Sequence, residues 1–325
     1  MSSLQEIADH LVKDASRVLI SGHIFPDGDC LGSVAALGII LEKMGKFVVM
    51  ASPDPLPENL LFLPGADRFC TDLSLEGDFD TFVILDCSVP ERLGNLRHYL
   101  DQDLCVIGID HHPNTEGFAH YTYFDPRAAA TGEILIDLMD RMGAGLDRDV
   151  ATCLYVAITT DTGSFQYENT SPETFRKAAR LLETGIPAAA INIQLFDEKP
   201  LPTVQLLGAA LERMKISSGG KVAWMVVEKQ LLEKFSARDE HTEGLVNFIR
   251  AIKGVEVAIL ILELMKDKYK ISFRSKAEVD VNRLAARLGG GGHARASGSI
   301  MYGEQQQVVE SVLNETFKEI PDRHR

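Results

Sequence analysis

Histidine and aspartate gather at four places along the chain. His23, Asp27 and Asp29 lie in "SGHIFPDGDCLGS", Asp86 follows "TFVIL", Asp110, His111 and His112 follow "CVIGI", and Asp161 sits in "AITTDTGSF". Carboxylates at the exit of a buried strand are costly to desolvate unless a cation meets them. If several converge without one, they repel and push each other toward the protonated form. Two divalent ions remove that conflict. A donor set of aspartate and histidine without thiolates favours manganese, with cobalt, magnesium or zinc as other candidates, over a structural zinc. The residue types therefore point to a dinuclear centre.

Taken singly, each piece has an ordinary reading. Asp86 alone is a turn residue or helix N-cap. Gly28, Gly32 and Ser33 suit a turn and a cap, and "DHH" suits a solvated loop. The joint pattern gains weight from the elements that must carry it. "RVLISGH", "KFVVMAS", "TFVILDCS" and "LCVIGIDHH" are brief, β-branched and bounded by turn residues, which predicts strands. Near-continuous apolarity in "TFVIL" and "CVIGI" fits central strands covered on both faces. The expected fold is α/β with a mostly parallel sheet flanked by helices, and in such a sheet the carboxyl ends of the strands share one edge where ligands bind. Residues distant in sequence then meet there.

Helices are expected at "TGEILIDLMDRMG", "DRDVATCLYVAITTD" and "SPETFRKAARLLETG", the last capped by Ser171, with Pro172 in its first turn and Gly185 as its stop. Prolines concentrate around residues 186–202 and mark a boundary. The expected division is a metal-binding domain over 1–190, a linker over 191–204 and a smaller α+β domain over 205–325, facing the first across a cleft. That second part holds the strand-like "KVAWMVV", "VEVAILILEL" and "KYKISFRS", an amphipathic "VDVNRLAARL", the run "GGGGHARASG" and a closing helix near "QQQVVESVLNETFKEI".

The 325 residues are long for one core, which agrees with two domains. A net charge of −14 gives no overall basic field for a long nucleic acid, although divalent cations can neutralise a local acidic pocket. The amino terminus has scattered charges and no signal-peptide pattern, and no apolar run approaches a membrane span. Five cysteines without a CxxC pair read as reduced packing residues, so the expected location is cytoplasmic. Apolar helices in the first domain make a homodimer an expectation. His10, His98, His120, His241 and His324 have no matching acid cluster and read as surface or packing residues.

In the second domain, Gly289 to Gly292 precede His293, Arg295 and Ser297. Glycines permit close backbone approach and positive φ, so successive amides can form an anion-binding nest, although glycine runs alone are commonly loops. Arg274 and Ser275 end "ISFRS", where a guanidinium can grip a phosphate with two hydrogen bonds or act as an ordinary edge arginine. Phe165 and Tyr167, close after Asp161, are candidates for base stacking or packing.

"HIFPDGDCLGS", "ILDCS", "DHHPN" and "TDTGSF" together resemble the four successive motifs of the DHH phosphoesterases. "GGGGHARASG" resembles the signature of the DHH-associated carboxy-terminal domain. The resemblance spans nearly the whole chain, and the two-domain layout is most similar to NrnA-type enzymes. These are oligoribonucleases that degrade very short RNA and dephosphorylate adenosine 3′,5′-bisphosphate. The resemblance implies that His23, Asp27 and Asp86 hold one ion and that Asp29, Asp86, His111 and Asp161 hold the other. His112 would face the scissile phosphate while Asp110 orients a neighbouring histidine, with the order of His111 and His112 left open.

Two ions roughly 3.5–4 Å apart can acidify a bridging water and draw charge off the phosphoryl oxygens. The implied reaction is hydrolysis by a bridging hydroxide without a covalent intermediate. Arg274, Ser275, Gly291, Gly292 and His293 would hold the nucleotide end, so short or end-bound substrates fit best. Gln166 departs from the family pattern, which places a basic residue after "DTGSF", and this bears on substrate preference. Cleavage of cyclic dinucleotides or their linear products, pyrophosphate or polyphosphate hydrolysis, and a non-catalytic nucleotide sensor are the competing readings.

Overall fold

The computed structural model describes residues 2–71, 78–112, 117–217 and 219–320. Pro113 and Asn114 of "DHHPN", and His324, lie outside the described residues. The chain divides into two compact units, Met1–Glu198 and Lys199–Arg325.

The first unit opens with helix α1 (Leu4–Lys13), started by a capping box between Ser3 and Glu6. Strand β1 (Arg17–Ser21), helix α2 (Gly28–Lys43) and strands β2 (Phe47–Ala51), β3 (Thr81–Leu85), β4 (Cys105–Asp110) and β5 (Tyr121–Phe124) follow. Helices α3 (Thr131–Met142), α4 (Arg148–Asp161), α5 (Pro172–Glu183) and α6 (Ala188–Asn192) complete the unit. The strands form one sheet in the order β2-β1-β3-β4-β5, and every pairing is parallel. This is the expected α/β architecture. The order reverses between β1 and β3, so the crevice beyond their carboxyl ends is a topological switch point. His23 follows β1 and Asp86 follows β3, which places both at that crevice.

Strand β5 was not among the expected strands. Its four residues are only half-buried at the sheet edge, so "YTYF" lacks the apolar run that identified the central strands.

Helix α2 is buried throughout from Gly28 to Leu41 because it packs beneath α4 as well as on the sheet. The close crossing depends on glycine. A Cβ on Gly28 would lie 2.4 Å from the Thr160 hydroxyl, and one on Gly32 would lie 2.5 Å from the Cys153 carbonyl oxygen and 3.2 Å from Ala157 Cβ. This approach brings the start of α2, with Asp29, to the end of α4, with Asp161.

The stretch 191–204 is largely helical. It includes the end of α6, a π-helical turn at Ile193–Asp197 and the start of α7 (Leu201–Glu212), and the two units part between Glu198 and Lys199.

The second unit holds α7 and strands β6 (Lys215–Ile216) and β7 (Val222–Val227), helices α8 (Lys229–Lys234) and α9 (Leu245–Arg250), then β8 (Val257–Met265) and β9 (Lys268–Ser275). Helix α10 (Val281–Arg287), strands β10 (Gly291–His293) and β11 (Ala296–Tyr302) and helix α11 (Gln305–Glu319) end it. Its sheet runs β10-β11-β9-β8-β7-β6, with β7 and β8 parallel and the other pairs antiparallel. Alternation along the strands feeds two cores. Ala223, Met225, Ala258 and Leu260 pack with Leu206, Leu231 and Leu245 on one face. Val222, Ile259, Ile271 and Phe273 pack with Leu284 and Val312 on the other. Among the described residues no helix is long and apolar enough to cross a membrane.

The α2–α4 crossing predicts an asymmetry between two glycines. Gly32→Ala forces a methyl against a backbone carbonyl and should destabilise the protein by roughly 1–3 kcal/mol in denaturant unfolding. Gly208→Ala in α7 meets nothing within 4 Å and should be neutral or stabilising by up to about 1 kcal/mol. Equal effects would contradict the packing described.

Candidate metal centre

Each functional side chain is placed by the end of an element. Beyond β1 the chain must pass Gly22, where a Cβ would sit 2.2 Å from Cys30 Sγ and 2.9 Å from the Leu85 carbonyl oxygen, so only glycine fits. His23 comes next. Asp27 is the N-cap of α2, its Oδ1 accepting the Cys30 N–H at 3.0 Å, and Asp29 stands in the first turn. Asp86 follows β3 with φ at +57°, a left-handed conformation that costs a non-glycine residue about 1–2 kcal/mol. Glycine would relieve that strain but would remove the carboxylate. Asp110 ends β4 and Asp161 ends α4.

The side chains converge in two groups that share Asp86. In the first, His23 Nε2 lies 3.4 Å from Asp86 Oδ2 and 3.9 Å from Asp27 Oδ2. In the second, His111 Nε2 lies 3.4 Å from Asp161 Oδ2, 3.6 Å from Asp86 Oδ1 and 3.7 Å from Asp29 Oδ2. Most of these separations exceed good hydrogen bonds. With metal–donor bonds of about 2.0–2.2 Å, two donors on a common ion lie roughly 3–3.5 Å apart, and the two groups approach that spacing.

The imidazole tautomers agree with this role. His23 Nδ1 is 2.7 Å from the Ile24 carbonyl oxygen and His111 Nδ1 is 3.2 Å from that of Ala128. A carbonyl can only accept, so in both rings Nδ1 carries a hydrogen and Nε2 is the atom turned toward the carboxylates, where it would offer its lone pair to a bound ion. Ligating histidines are held by the same kind of partner. His112 differs. Its Nδ1 is 2.7 Å from Asp110 Oδ1, which also accepts the backbone N–H groups of His111 at 2.8 Å and His112 at 3.2 Å. The two adjacent histidines thus differ in the partner of Nδ1, while His112 Nδ1 also lies 3.6 Å from Asp86 Oδ1.

Residues 128–132 form a brace that the sequence reading did not single out. Ala128 holds His111 through its carbonyl. Thr131 N–H donates to Asp29 Oδ2 at 2.6 Å, Gly132 N–H to Asp29 Oδ1 at 2.9 Å, and the Thr131 hydroxyl to Asp86 Oδ1 at 3.1 Å. Ser33 adds a hydroxyl to Asp29 Oδ1 at 3.1 Å. Ala130, the N-cap of α3, has no side chain that can cap the helix, so the free amides of α3 are satisfied by a carboxylate from α2. Asn169 Nδ2 bridges the carbonyls of Ala129 and Asp161, tying the brace to the end of α4. Behind it, buried Glu133 accepts from Ala129 N–H and the Thr174 hydroxyl, with Lys177 3.8 Å away. The only sequence sign was a Thr-Gly pair opening a helical pattern, which looks like any helix start.

The N-terminal domain of the DHH family matches residues 17–158, and the DHHA1 domain matches 219–319. The bifunctional oligoribonuclease and PAP phosphatase NrnA of Thermus thermophilus is 32% identical, over 97% of this chain and 93% of that protein. The chain belongs to the DHH family of phosphoesterases. The protein of the same name from Bacillus subtilis is 28% identical, over 88% of this chain and 89% of its own. Among solved structures, an exopolyphosphatase-related protein from Bacteroides fragilis superposes with a TM-score of 0.89 at 28% identity, covering 97% of this chain and 96% of that one. RecJ of Thermus thermophilus in complex with Mn2+ has a TM-score of 0.56 at 16% identity, covering 98% of this chain and 55% of RecJ, and shares the fold. DHH phosphoesterases use divalent metals, and the acidic clusters here fit such a site.

Charge in the DHH site is poised for a cation. Burial, then the Asp86 charge, pushes the Asp29 carboxyl well above its ordinary range, and burial with Asp27 and Asp86 does the same to Asp161. Burial opposes ionisation of Asp86 too, but a hydrogen bond from His23 and the charges of His112, His23 and His111 overcome it and hold Asp86 well below that range. Burial works against a charge on His112, yet its hydrogen bond to Asp110 and the charges of Asp86 and Asp110 push it up to about 9. The Cys87 thiol is pushed up to about 12 by burial and that of Cys30 is raised as well, so neither competes as a thiolate.

Close after Asp161, Gly163, Ser164 and Phe165 are all left-handed. Phe165 stacks on Phe175 at 5.3 Å and contacts Tyr155, so its ring is occupied in packing, while Gln166 is exposed.

In the DHHA1 unit, Arg274 pairs with Ala296 and Ala296 with His293 across β9, β11 and β10, so Arg274 and His293 lie in one row of the sheet. Ser275 is buried and its hydroxyl donates to the Ala294 carbonyl at 3.4 Å. The Ser297 hydroxyl donates to Val281 O and Arg295 to Val279 O, anchoring the hairpin. Gly289 takes φ +74° just beyond α10, whereas Gly290 and Gly292 let β10 lie close against β11. Gly291 is exposed, with no such crowding.

The raised carboxylates give a pH prediction. In the metal-free protein, Asp29 and Asp161 retain protons that the unfolded chain has released, so their contribution removes stability as pH rises above the ordinary carboxylate range. Binding of a divalent ion expels those protons. Calorimetric titrations in buffers of different ionisation enthalpy should show proton release, and metal-induced stabilisation should grow with pH through that window. Metal uptake without proton release would contradict the arrangement.

Proposed function

We propose that the chain is a manganese-dependent phosphoesterase that cleaves very short oligoribonucleotides and removes phosphate from adenosine 3′,5′-bisphosphate. The observation that carries the reading is Asp86, whose two oxygens face two separate Asp/His groups. Support for the substrate class comes from relatives named bifunctional oligoribonuclease and PAP phosphatase that match nearly the whole chain.

His23, Asp27 and Asp86 would hold one ion, and Asp29, Asp86, His111 and Asp161 the other. When bound, two divalent ions supply an acidified water and withdraw charge from the phosphoryl oxygens. The protein's own part begins with the carbonyls of Ile24 and Ala128, which fix the tautomers of His23 and His111. Asp110 holds His112 by Nδ1 and keeps it protonated near neutral pH, so Nε2–H can donate to the scissile phosphate or its leaving oxygen. Arg274, Gly291, Gly292 and His293 would bind the nucleotide end, with Ser275 fixing the Ala294 carbonyl beside them. The net charge of −14 suits a short substrate, because a long strand needs an extended basic track. The free cysteines support a cytoplasmic setting.

Purified protein with manganese should hydrolyse an RNA dinucleotide and adenosine 3′,5′-bisphosphate faster than a long RNA, a cyclic dinucleotide or pyrophosphate. Asp86→Asn should lower both activities by roughly 10³-fold or more, about 4 kcal/mol of transition-state stabilisation. Dominant turnover of pyrophosphate or the cyclic dinucleotide would overturn the substrate, and no turnover of any would favour a nucleotide sensor.

A further inference from the structure

We propose that Thr131 is a positioning residue that makes Asp86 bridge two ions instead of chelating one, an inference that rests on the two-metal reading above. Thr131 is fully buried at the first turn of α3, and it contacts carboxylates from two different elements. Its N–H takes Asp29 Oδ2 at 2.6 Å, and its hydroxyl takes Asp86 Oδ1 at 3.1 Å.

The consequence follows from lone-pair accounting. Each oxygen of an ionised carboxylate offers about two acceptor directions. On Asp86 Oδ1, one is occupied by the Thr131 hydroxyl; His111 Nε2 and His112 Nδ1 each lie 3.6 Å away, but His112 Nδ1 is engaged by Asp110 at 2.7 Å, which leaves one direction for a cation on the side of His111. Oδ2 faces His23 at 3.4 Å and serves the other group. A carboxylate pinned in this rotation gives one oxygen to each ion. Released, it is free to turn about its terminal torsion, which is soft, and present both oxygens to a single ion.

The same residue fixes the partner of Asp86 in the second group. Asp29 receives Thr131 N–H, Gly132 N–H and the Ser33 hydroxyl, so its Oδ2 keeps a direction toward His111 Nε2, 3.7 Å away. Asp29 and Asp86 are thus registered against each other by one residue. The base of α3 is held in turn by Glu133, through Ala129 and Thr174, so the donor does not follow the carboxylates if they move.

Thr131→Val keeps the backbone N–H and the branched shape and removes only the hydroxyl, whereas Thr131→Ser keeps the hydroxyl. Calorimetric titration of the full chain with Mn2+ should give two ions for the parent protein and for Thr131→Ser. Thr131→Val should bind the first ion as the parent does and the second roughly 10–100-fold more weakly. At two equivalents of Mn2+, electron paramagnetic resonance should show a spin-coupled pair in the parent and Thr131→Ser, and mainly uncoupled Mn2+ in Thr131→Val. Metal-free Thr131→Ser should melt with the parent, and metal-free Thr131→Val should melt a few degrees lower, having lost a hydrogen bond to a buried carboxylate, yet stay folded and keep the first ion.

Two ions of unchanged affinity and a coupled pair in Thr131→Val would overturn the role given to Thr131. A metal-free Thr131→Val that melts far below the parent and loses both ions would also overturn it, by making the residue a general structural support. Fewer than two ions in the parent protein would instead overturn the two-metal reading itself, and the positioning role with it.

Discussion

Most of the first unit is arranged around one electrostatic conflict: Asp29, Asp86 and Asp110 are buried, and Asp161 joins them at the carboxyl edge of a parallel sheet. Carboxylates brought this close out of water are tolerable only with donors and cations to meet them. The protein supplies donors wherever the backbone can. Asp27 caps α2, Asp29 occupies the uncapped start of α3, and Asp110 gathers two amides and an imidazole. What the donors leave uncompensated is concentrated between His23, His111 and the two oxygens of Asp86, which is where divalent ions fit.

Rigidity in this region comes from close backbone approach. Gly22, Gly28 and Gly32 admit α2 to a position between the sheet and α4 that no side chain would allow. The left-handed conformation of Asp86 is retained because its N–H is bonded to Ile109 O across the sheet while its carboxylate is held by Thr131. Strain of this kind persists where the surroundings over-determine it, and it fits a site whose geometry must be set before the cation arrives.

The convergence of acid and histidine side chains at the sheet edge was legible in the sequence because His23, Asp86 and Asp110 stood at or just beyond short apolar runs that read as strands. Thr131, Gly132 and Ala128 were not legible. They act mainly through backbone groups, which every residue possesses, so their identity carries little signal. His111 and His112 could not be ordered either, since the distinction lies in which oxygen each Nδ1 reaches: Ala128 O, seventeen positions away, or Asp110 Oδ1. In the second unit the glycine run could be read as an anion-binding nest or as a loop. The structure assigns Gly289 to a helix stop and Gly290 and Gly292 to strand packing, while Gly291 is exposed and Arg274 and His293 are half-buried in one row of the sheet. β5 escaped notice because an edge strand need not be apolar.

The central claim is that Asp86 lies between two divalent ions. Anomalous diffraction at the manganese absorption edge, from crystals grown with Mn2+, tests it most directly. The account predicts two peaks, one beside His23, Asp27 and Asp86 Oδ2, the other beside Asp29, His111, Asp161 and Asp86 Oδ1. A single peak with both oxygens of Asp86 on one ion, or manganese bound away from Asp86, would contradict it.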